Sequence, residues 1–180
     1  MRTSVLLFLL TFPLFPAGDM VGRRAPGFSL PDGTFHYHDP QDYLGKILIV
    51  EFMQTSCPHC AAFSKILEEA AAKYAGKLSV ISIVNPPDTP DKVKQFAAAY
   101  KISTPILFDT GQVALSYVHW MPGKPTGFDL PRVFLIDAGG IIRRDLEYNV
   151  LTKPIFEGRG LFAEIDKLLQ LKAAPAGKQK

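Results

Sequence analysis

Cysteine is scarce in this chain: its 180 residues include two, Cys57 and Cys60. Two thiols are too few for a multi-disulfide scaffold or a four-thiolate zinc site. An excess of one charge is also missing. Lys and Arg number 20 against 17 Asp and Glu, a net charge of +3 with no basic block. Such a balance offers nucleic acid no electrostatic footprint. Internal repeats and low-complexity segments are absent. So are long hydrophobic runs: the longest, residues 5–15, is about half of the roughly 20 residues a spanning helix needs, and Pro13 and Pro16 break it up. What is present is a hydrophobic content of 47% with 11% aromatics, which argues against wholesale disorder. The length suits one domain with a full hydrophobic core.

The chain starts with a charge, a short apolar core and small residues. These are Met1-Arg2, then residues 5–15 (apolar except for Thr11), then Pro16-Ala17-Gly18. That is the order of a secretory signal. Cleavage is expected after Ala17 or Gly18, although Phe15 is bulky where a small residue is favoured. An uncleaved anchor or a misassigned start is the alternative. No cysteine follows the leader, so no lipid attachment is expected there. The expected organisation is a signal peptide over 1–18, a folded domain over 19–172 and a flexible tail over 173–180. Export places the protein in the periplasm or another extracytoplasmic space. In such an oxidising space a CxxC is catalytic, structural or metal-bound.

Residues 22–46 are rich in Gly, Pro and Asp and read as loops with a small hairpin, whose clearest strand is expected from Gly33 to His38. The β-branched run 47–53 predicts a buried central strand. A helix is expected from Pro58 to about Tyr74, with Phe63, Ile66, Leu67, Ala70, Ala71 and Tyr74 on one face and Gly76 ending it. Residues 78–84 read as a second buried strand. Thr89-Pro90 reads as an N-cap followed by proline at the first helical position, opening a helix with Val93, Phe96, Ala97 and Tyr100 as its stripe. Residues 106–108 form a short strand and 112–118 a short helix. Strands at 133–136 and 141–146 are joined through Asp137-Ala138-Gly139-Gly140, a hairpin turn. A last helix runs from about Gly160 to Leu171, with Leu161, Phe162, Ile165, Leu168 and Leu169 inward. The order is β-α-β-α-β-α-β-β-α, an α/β fold with a central mixed sheet and helices on both faces.

Both cysteines lie in Thr55-Ser56-Cys57-Pro58-His59-Cys60, between the central strand and its helix. Cys57 falls near the N-cap, where free backbone N–H groups and the positive end of the helix dipole favour thiolate over thiol. Cys60 falls one turn in, more buried and close enough to close a disulfide. Cys57 is then the exchanging thiolate and Cys60 the thiol that resolves the mixed disulfide. Pro58 stiffens the turn. His59 places a dipole, or a charge when protonated, near Cys57, which makes the disulfide more oxidising. A c-type haem site needs His directly after the second cysteine, where Ala61 stands. Zinc needs two more ligands, and His36, His38 and His119 have no ligand-like spacing to the motif. A purely structural disulfide would close too small a loop to stabilise much. On the strand at 33–38, His36 and His38 share one face and read as a solvated edge.

Taken together, several segments resemble the thioredoxin superfamily, and within it the TlpA/ResA-type extracytoplasmic proteins. They are Ala25-Pro26-Gly27-Phe28-Ser29-Leu30, Leu44-Gly45-Lys46, Val50-Glu51-Phe52 ahead of the motif, Pro105-Ile106-Leu107-Phe108-Asp109 and Leu130-Pro131-Arg132-Val133-Phe134-Leu135-Ile136-Asp137. The Cys-Pro-His-Cys tetrapeptide matches that of DsbA. The resemblance covers roughly residues 24–171 and implies a thioredoxin-like fold with an N-terminal β-hairpin extension. It implies a protein thiol–disulfide oxidoreductase with no cofactor beyond a Cys57–Cys60 disulfide. Protein thiols or disulfides would be its substrates, a membrane protein its electron donor or acceptor. No nucleic-acid partner is expected, and a monomer is.

By the same resemblance, Pro131 matches the family's cis-proline, which lies against the CxxC and helps hold substrate backbone; an ordinary trans proline at a strand start is the alternative. Glu51 matches the buried acid under the CxxC, able to exchange protons with Cys60; an acid pointing to water is the alternative. The chain departs from the family pattern at Ser56, usually Trp, and at Leu130, usually Thr. The segment His119-Trp120-Met121-Pro122-Gly123-Lys124-Pro125 either shapes a substrate groove near the active site or is an inert surface loop. The whole-chain resemblance implies a reductant, whereas the Pro58-His59 pair implies an oxidant. Peroxiredoxins share the fold, but the Thr and Pro they carry three and seven positions before the reactive cysteine are Gln54 and Val50 here. A copper-binding chaperone using the same thiolates is the alternative from another class, with His119 the one candidate remote ligand.

Overall fold

The structure is a computed structural model that describes residues 20–118 and 129–170. The leader, His119 with the segment that follows it, and the C-terminal tail lie outside the described residues.

A small antiparallel pair, β1 (Leu30–Pro31) and β2 (Tyr37–His38), precedes a five-stranded mixed sheet. The sheet strands are β3 (Ile47–Met53), β4 (Leu78–Val84), β5 (Ile106–Phe108), β6 (Arg132–Ile136) and β7 (Ile142–Glu147), in the spatial order β5-β4-β3-β6-β7. β3, β4 and β5 are parallel; β6 is antiparallel to β3 and to β7. The parallel crossovers are α1 (Pro58–Lys73) and α2 (Pro90–Tyr100). α3 (Gln112–Val118) leads towards β6, and the chain finishes with α4 (Lys153–Phe156) and α5 (Arg159–Gln170).

The central strand β3 is buried at every position, so its two alternating sets of side chains face two cores. Ile47 and Ile49 meet Phe63, Leu67 and Ala70 of α1 together with Leu161, Ile165 and Leu168 of α5. Leu48, Val50 and Phe52 meet Val113, Ala114 and Tyr117 of α3 on the other face. A third cluster gathers Met53, Val84, Cys60 and Ala61 with Val93 and Phe96 of α2, at the end where the parallel strands stop. Glu51 shares the parity of Ile49 and Met53, so the strand carries its carboxyl to the α1 side.

Local chemistry sets the element ends. Thr89 caps α2, its Oγ1 accepting from Lys92 N–H at 3.4 Å, with Pro90 at the first helical position. The β6–β7 turn closes through Gly140, whose φ of +81° suits glycine. The expected strand from Gly33 to His38 is mostly a turn. The Asp32 carboxylate accepts from Thr34 N–H at 2.8 Å and His36 N–H at 3.1 Å and draws the chain round. His38 is not a solvated edge residue. It is buried, with Nδ1 2.6 Å from Tyr43 Oη and Nε2 3.2 Å from Asp32 Oδ2. In α5, Leu169 points outward rather than in, whereas Leu161, Ile165 and Leu168 are buried as expected.

Candidate active site

Cys57 is the N-cap of α1, with φ −85° and ψ 115°, and Pro58 takes the first helical position. Its sulfur accepts a hydrogen bond from Cys60 N–H at 3.2 Å, one of the donors a helix start leaves unpaired. Cys57 Sγ lies 3.9 Å from the carbonyl oxygen of Leu130, the residue joined to Pro131 by a cis peptide bond. A second cis bond, Pro86–Pro87, was not foreseen. Cys57 is half-buried, whereas Cys60 has no exposed surface.

The loop before Cys57 is tied down from outside. Asp88, from the segment between β4 and α2, accepts from Thr55 N–H at 2.9 Å and from Thr55 Oγ1 at 2.5 Å. Cys57 N–H donates to Gln54 O at 3.1 Å, closing the turn. On the opposite side, Tyr148 N–H donates to Pro131 O at 3.2 Å. Arg132, next in the chain, pairs with Asp145 at 2.6 Å and Glu147 at 2.5 Å, holding the start of β6 on the end of β7.

Beneath the motif, Glu51 is wholly buried on β3. Its Oε2 accepts from Ser82 Oγ at 2.6 Å, and its Oε1 has no hydrogen-bond partner among the described residues. Burial pushes the Glu51 carboxyl up to about 8, against the lowering effect of the Ser82 hydroxyl. Burial likewise pushes the Cys60 thiol upward, and the charge of Glu51 adds to the effect. A carboxyl that ionises near neutrality beside a thiol reluctant to ionise is an arrangement suited to passing one proton between them.

The structure thus brings together Cys57, Pro58, His59, Cys60, Glu51 and Pro131. Sequence reasoning missed three neighbours: Ser82, Asp88 and Tyr148. Ser82 left a signal, since Glu51 and Ser82 each interrupt an apolar strand at its fifth residue and pair directly in the parallel register. Asp88 and Tyr148 sit in loops and left none. Among the described residues no group of three or more His, Cys, Asp or Glu is placed to hold a metal ion.

The sequence profile of the AhpC/TSA family matches residues 21–145. Among curated proteins, the chain is 26% identical over 149 residues to the thioredoxin-like protein YneN of Bacillus subtilis, covering 82% of each. It is 29% identical over 153 residues to the thiol-disulfide oxidoreductase ResA of Geobacillus kaustophilus, covering 80% of this chain and 84% of that one. Among solved structures, a thiol:disulfide interchange protein of the thioredoxin family from Chlorobium tepidum aligns with a TM-score of 0.62 at 21% identity, over 84% of this chain and 99% of that one. That likeness is one of fold.

Proposed function

The chain belongs to the AhpC/TSA family, and on that premise we propose that it is an exported thiol–disulfide oxidoreductase working through Cys57 and Cys60. The observation that carries this reading is the position of Cys57. It caps α1, accepts from Cys60 N–H, and faces the carbonyl before Pro131. The relatives named thiol-disulfide oxidoreductase support the chemistry, and the leader at 1–18 supports export.

In the reducing direction the Cys57 thiolate attacks a substrate disulfide, forming a mixed disulfide and releasing one substrate thiolate. Cys60 then gives its proton to Glu51 and attacks Cys57 Sγ. The enzyme disulfide forms, and the second substrate sulfur leaves as thiolate. The oxidising direction is the reverse, with Glu51 returning the proton to Cys60. Pro131 holds substrate backbone beside Cys57, His59 tunes the thiolate, and protein thiols or disulfides are the substrates. A copper-binding role for the same thiolates finds no third ligand among the described residues.

Reduction of insulin disulfides with dithiothreitol as the electron source tests the reading. The wild type is expected to accelerate it and Cys57→Ser to abolish the acceleration. A Cys57→Ser variant as active as the wild type overturns the proposal.

A further inference from the structure

His59 and Phe63 stand one turn apart on α1, so they share a face of the helix. Two aromatic rings from the segment after β7 lie against that face. Tyr148 stacks on His59, with ring centroids 4.2 Å apart and planes 22° from parallel. Phe156 meets Phe63 at 4.8 Å, and Tyr148 meets Phe156 edge-on at 5.5 Å. The four rings form one continuous file from the CxxC dipeptide to the buried core.

Tyr148 is itself held on both sides. Its N–H donates to Pro131 O. The residues after it form a closed turn: Asn149 Oδ1 accepts from Leu151 N–H at 2.9 Å and Thr152 N–H at 3.1 Å, and Thr152 Oγ1 accepts from Asn149 N–H at 2.9 Å. The Tyr148 backbone is therefore tied on both sides and its ring packs on Phe156, whereas His59 is an exposed side chain at the helix start. An unanchored imidazole would spread over several rotamers, and its dipole would have no single orientation at the start of α1.

We propose that Tyr148 is a positioning residue for the redox couple, holding the imidazole of His59, two residues after Cys57, in one orientation and so setting how strongly the dithiol form is favoured. The proposal rests on Cys57 and Cys60 being a working couple. Tyr148 touches neither sulfur; it acts through His59. Through its N–H the same residue is also bonded to the Pro131 carbonyl, so one residue links the imidazole to the cis-proline turn.

The test is the equilibrium of the purified full chain with glutathione, in which two glutathione thiols reduce the Cys57–Cys60 disulfide to the dithiol and one glutathione disulfide forms. Four variants are compared with the wild type: Tyr148→Leu, Tyr148→Phe, His59→Ala and the Tyr148→Leu/His59→Ala double variant. Leucine fills space without a ring face, which guards against collapse of the core. Tyr148→Leu is expected to lower the equilibrium constant for disulfide reduction about two- to tenfold, tenfold being about 30 mV for a two-electron couple. Tyr148→Phe, which keeps the stack, restores the wild-type constant. In the His59→Ala background Tyr148→Leu has no further effect. An equal shift in both backgrounds, or no shift in the wild-type background, overturns the proposal while leaving the couple intact. A wild type that never equilibrates with glutathione overturns the couple, and this proposal with it.

Discussion

Glu51 and Cys60 are two wholly buried ionisable groups on adjoining elements, one on β3 and one on α1, and the charge of Glu51 makes ionisation of Cys60 more costly. In the reducing direction of the proposed mechanism Cys60 must lose its proton before it can resolve the mixed disulfide, and on that reading the ionised Glu51 is the base that takes it. The base form grows as pH rises through about 8. The resolution rate, followed as release of thiol from a preformed mixed disulfide in a single turnover, is expected to rise across that range. Glu51→Gln should remove the inflection and slow the step at neutral pH at least tenfold, a general base typically contributing about 10²–10⁴-fold. An unchanged profile in Glu51→Gln would show that water takes the proton instead.

The same buried acid makes a stability prediction of definite sign. The Glu51 carboxyl ionises near 4.5 in the unfolded chain and is pushed up to about 8 in the fold. Between those values the folded protein binds the extra proton, so its stability falls as pH rises, by up to about 1.4 kcal/mol per pH unit from this group. Below pH 4.5 the contribution is fully present, and above pH 8 its loss is complete. Glutamine keeps an oxygen for the Ser82 hydroxyl but has no charge to bury. Urea unfolding at pH 4.5, 6.5 and 8 should therefore show Glu51→Gln gaining on the wild type with each step. Parallel stability curves would sink the assignment. The window ends below the range where Cys60, whose ordinary value is 9.0, adds a dependence of its own.

Much of the fold is legible in the sequence because its signals are local. The 47–53 and 78–84 runs, Thr89-Pro90 and the Gly139-Gly140 turn each carry their own instruction, and the elements fall where those residues place them. The Cys57 cap is legible for the same reason, since strand, cysteine and proline are consecutive. What was not legible depends on partners far along the chain or on side chains competing with strand pairing. Asp32 turns residues 33–36 away from a strand by accepting from the backbone. His38 is buried because Tyr43 and Asp32 satisfy both its ring nitrogens. Residues 153–156 make a helix of four residues, too short for a periodic stripe. Tyr148 meets His59 across 89 positions of chain, with nothing in the identity of either residue to announce it.

The different exposures of the two thiols predict different trapping behaviour. Cys57 is reachable from solvent and Cys60 is not. Cys60→Ser should therefore accumulate mixed disulfides with substrate proteins, because the first exchange proceeds and the second is lost. Cys57→Ser should accumulate none. Non-reducing electrophoresis after thiol blocking reads both outcomes. Equal trapping by both variants would mean that the roles of the thiols are not divided by burial.

Asp88 should matter to Cys57 although it touches neither sulfur. Its carboxylate holds Thr55 through both the N–H and the hydroxyl, across 33 positions of chain, two residues before the cap. Hydrogen bonds to a charged group contribute about 1.5–3 kcal/mol each when buried, and less here because Asp88 and Thr55 are only partly covered. Asp88→Ala is expected to lower stability by about 1–2 kcal/mol, a fall in melting temperature of about 2–8 °C for a domain of this size. Asp88→Asn keeps an acceptor for the Thr55 N–H and should lose less. The functional consequence separates a clamp from a mere surface contact. If the clamp positions the turn from Gln54 to Cys57, Asp88→Ala should also slow insulin reduction at a temperature where the variant is fully folded, and Thr55→Val, which loses the hydroxyl bond but keeps the N–H bond, should fall between. Full activity in a folded but less stable Asp88→Ala would confine the residue to stability.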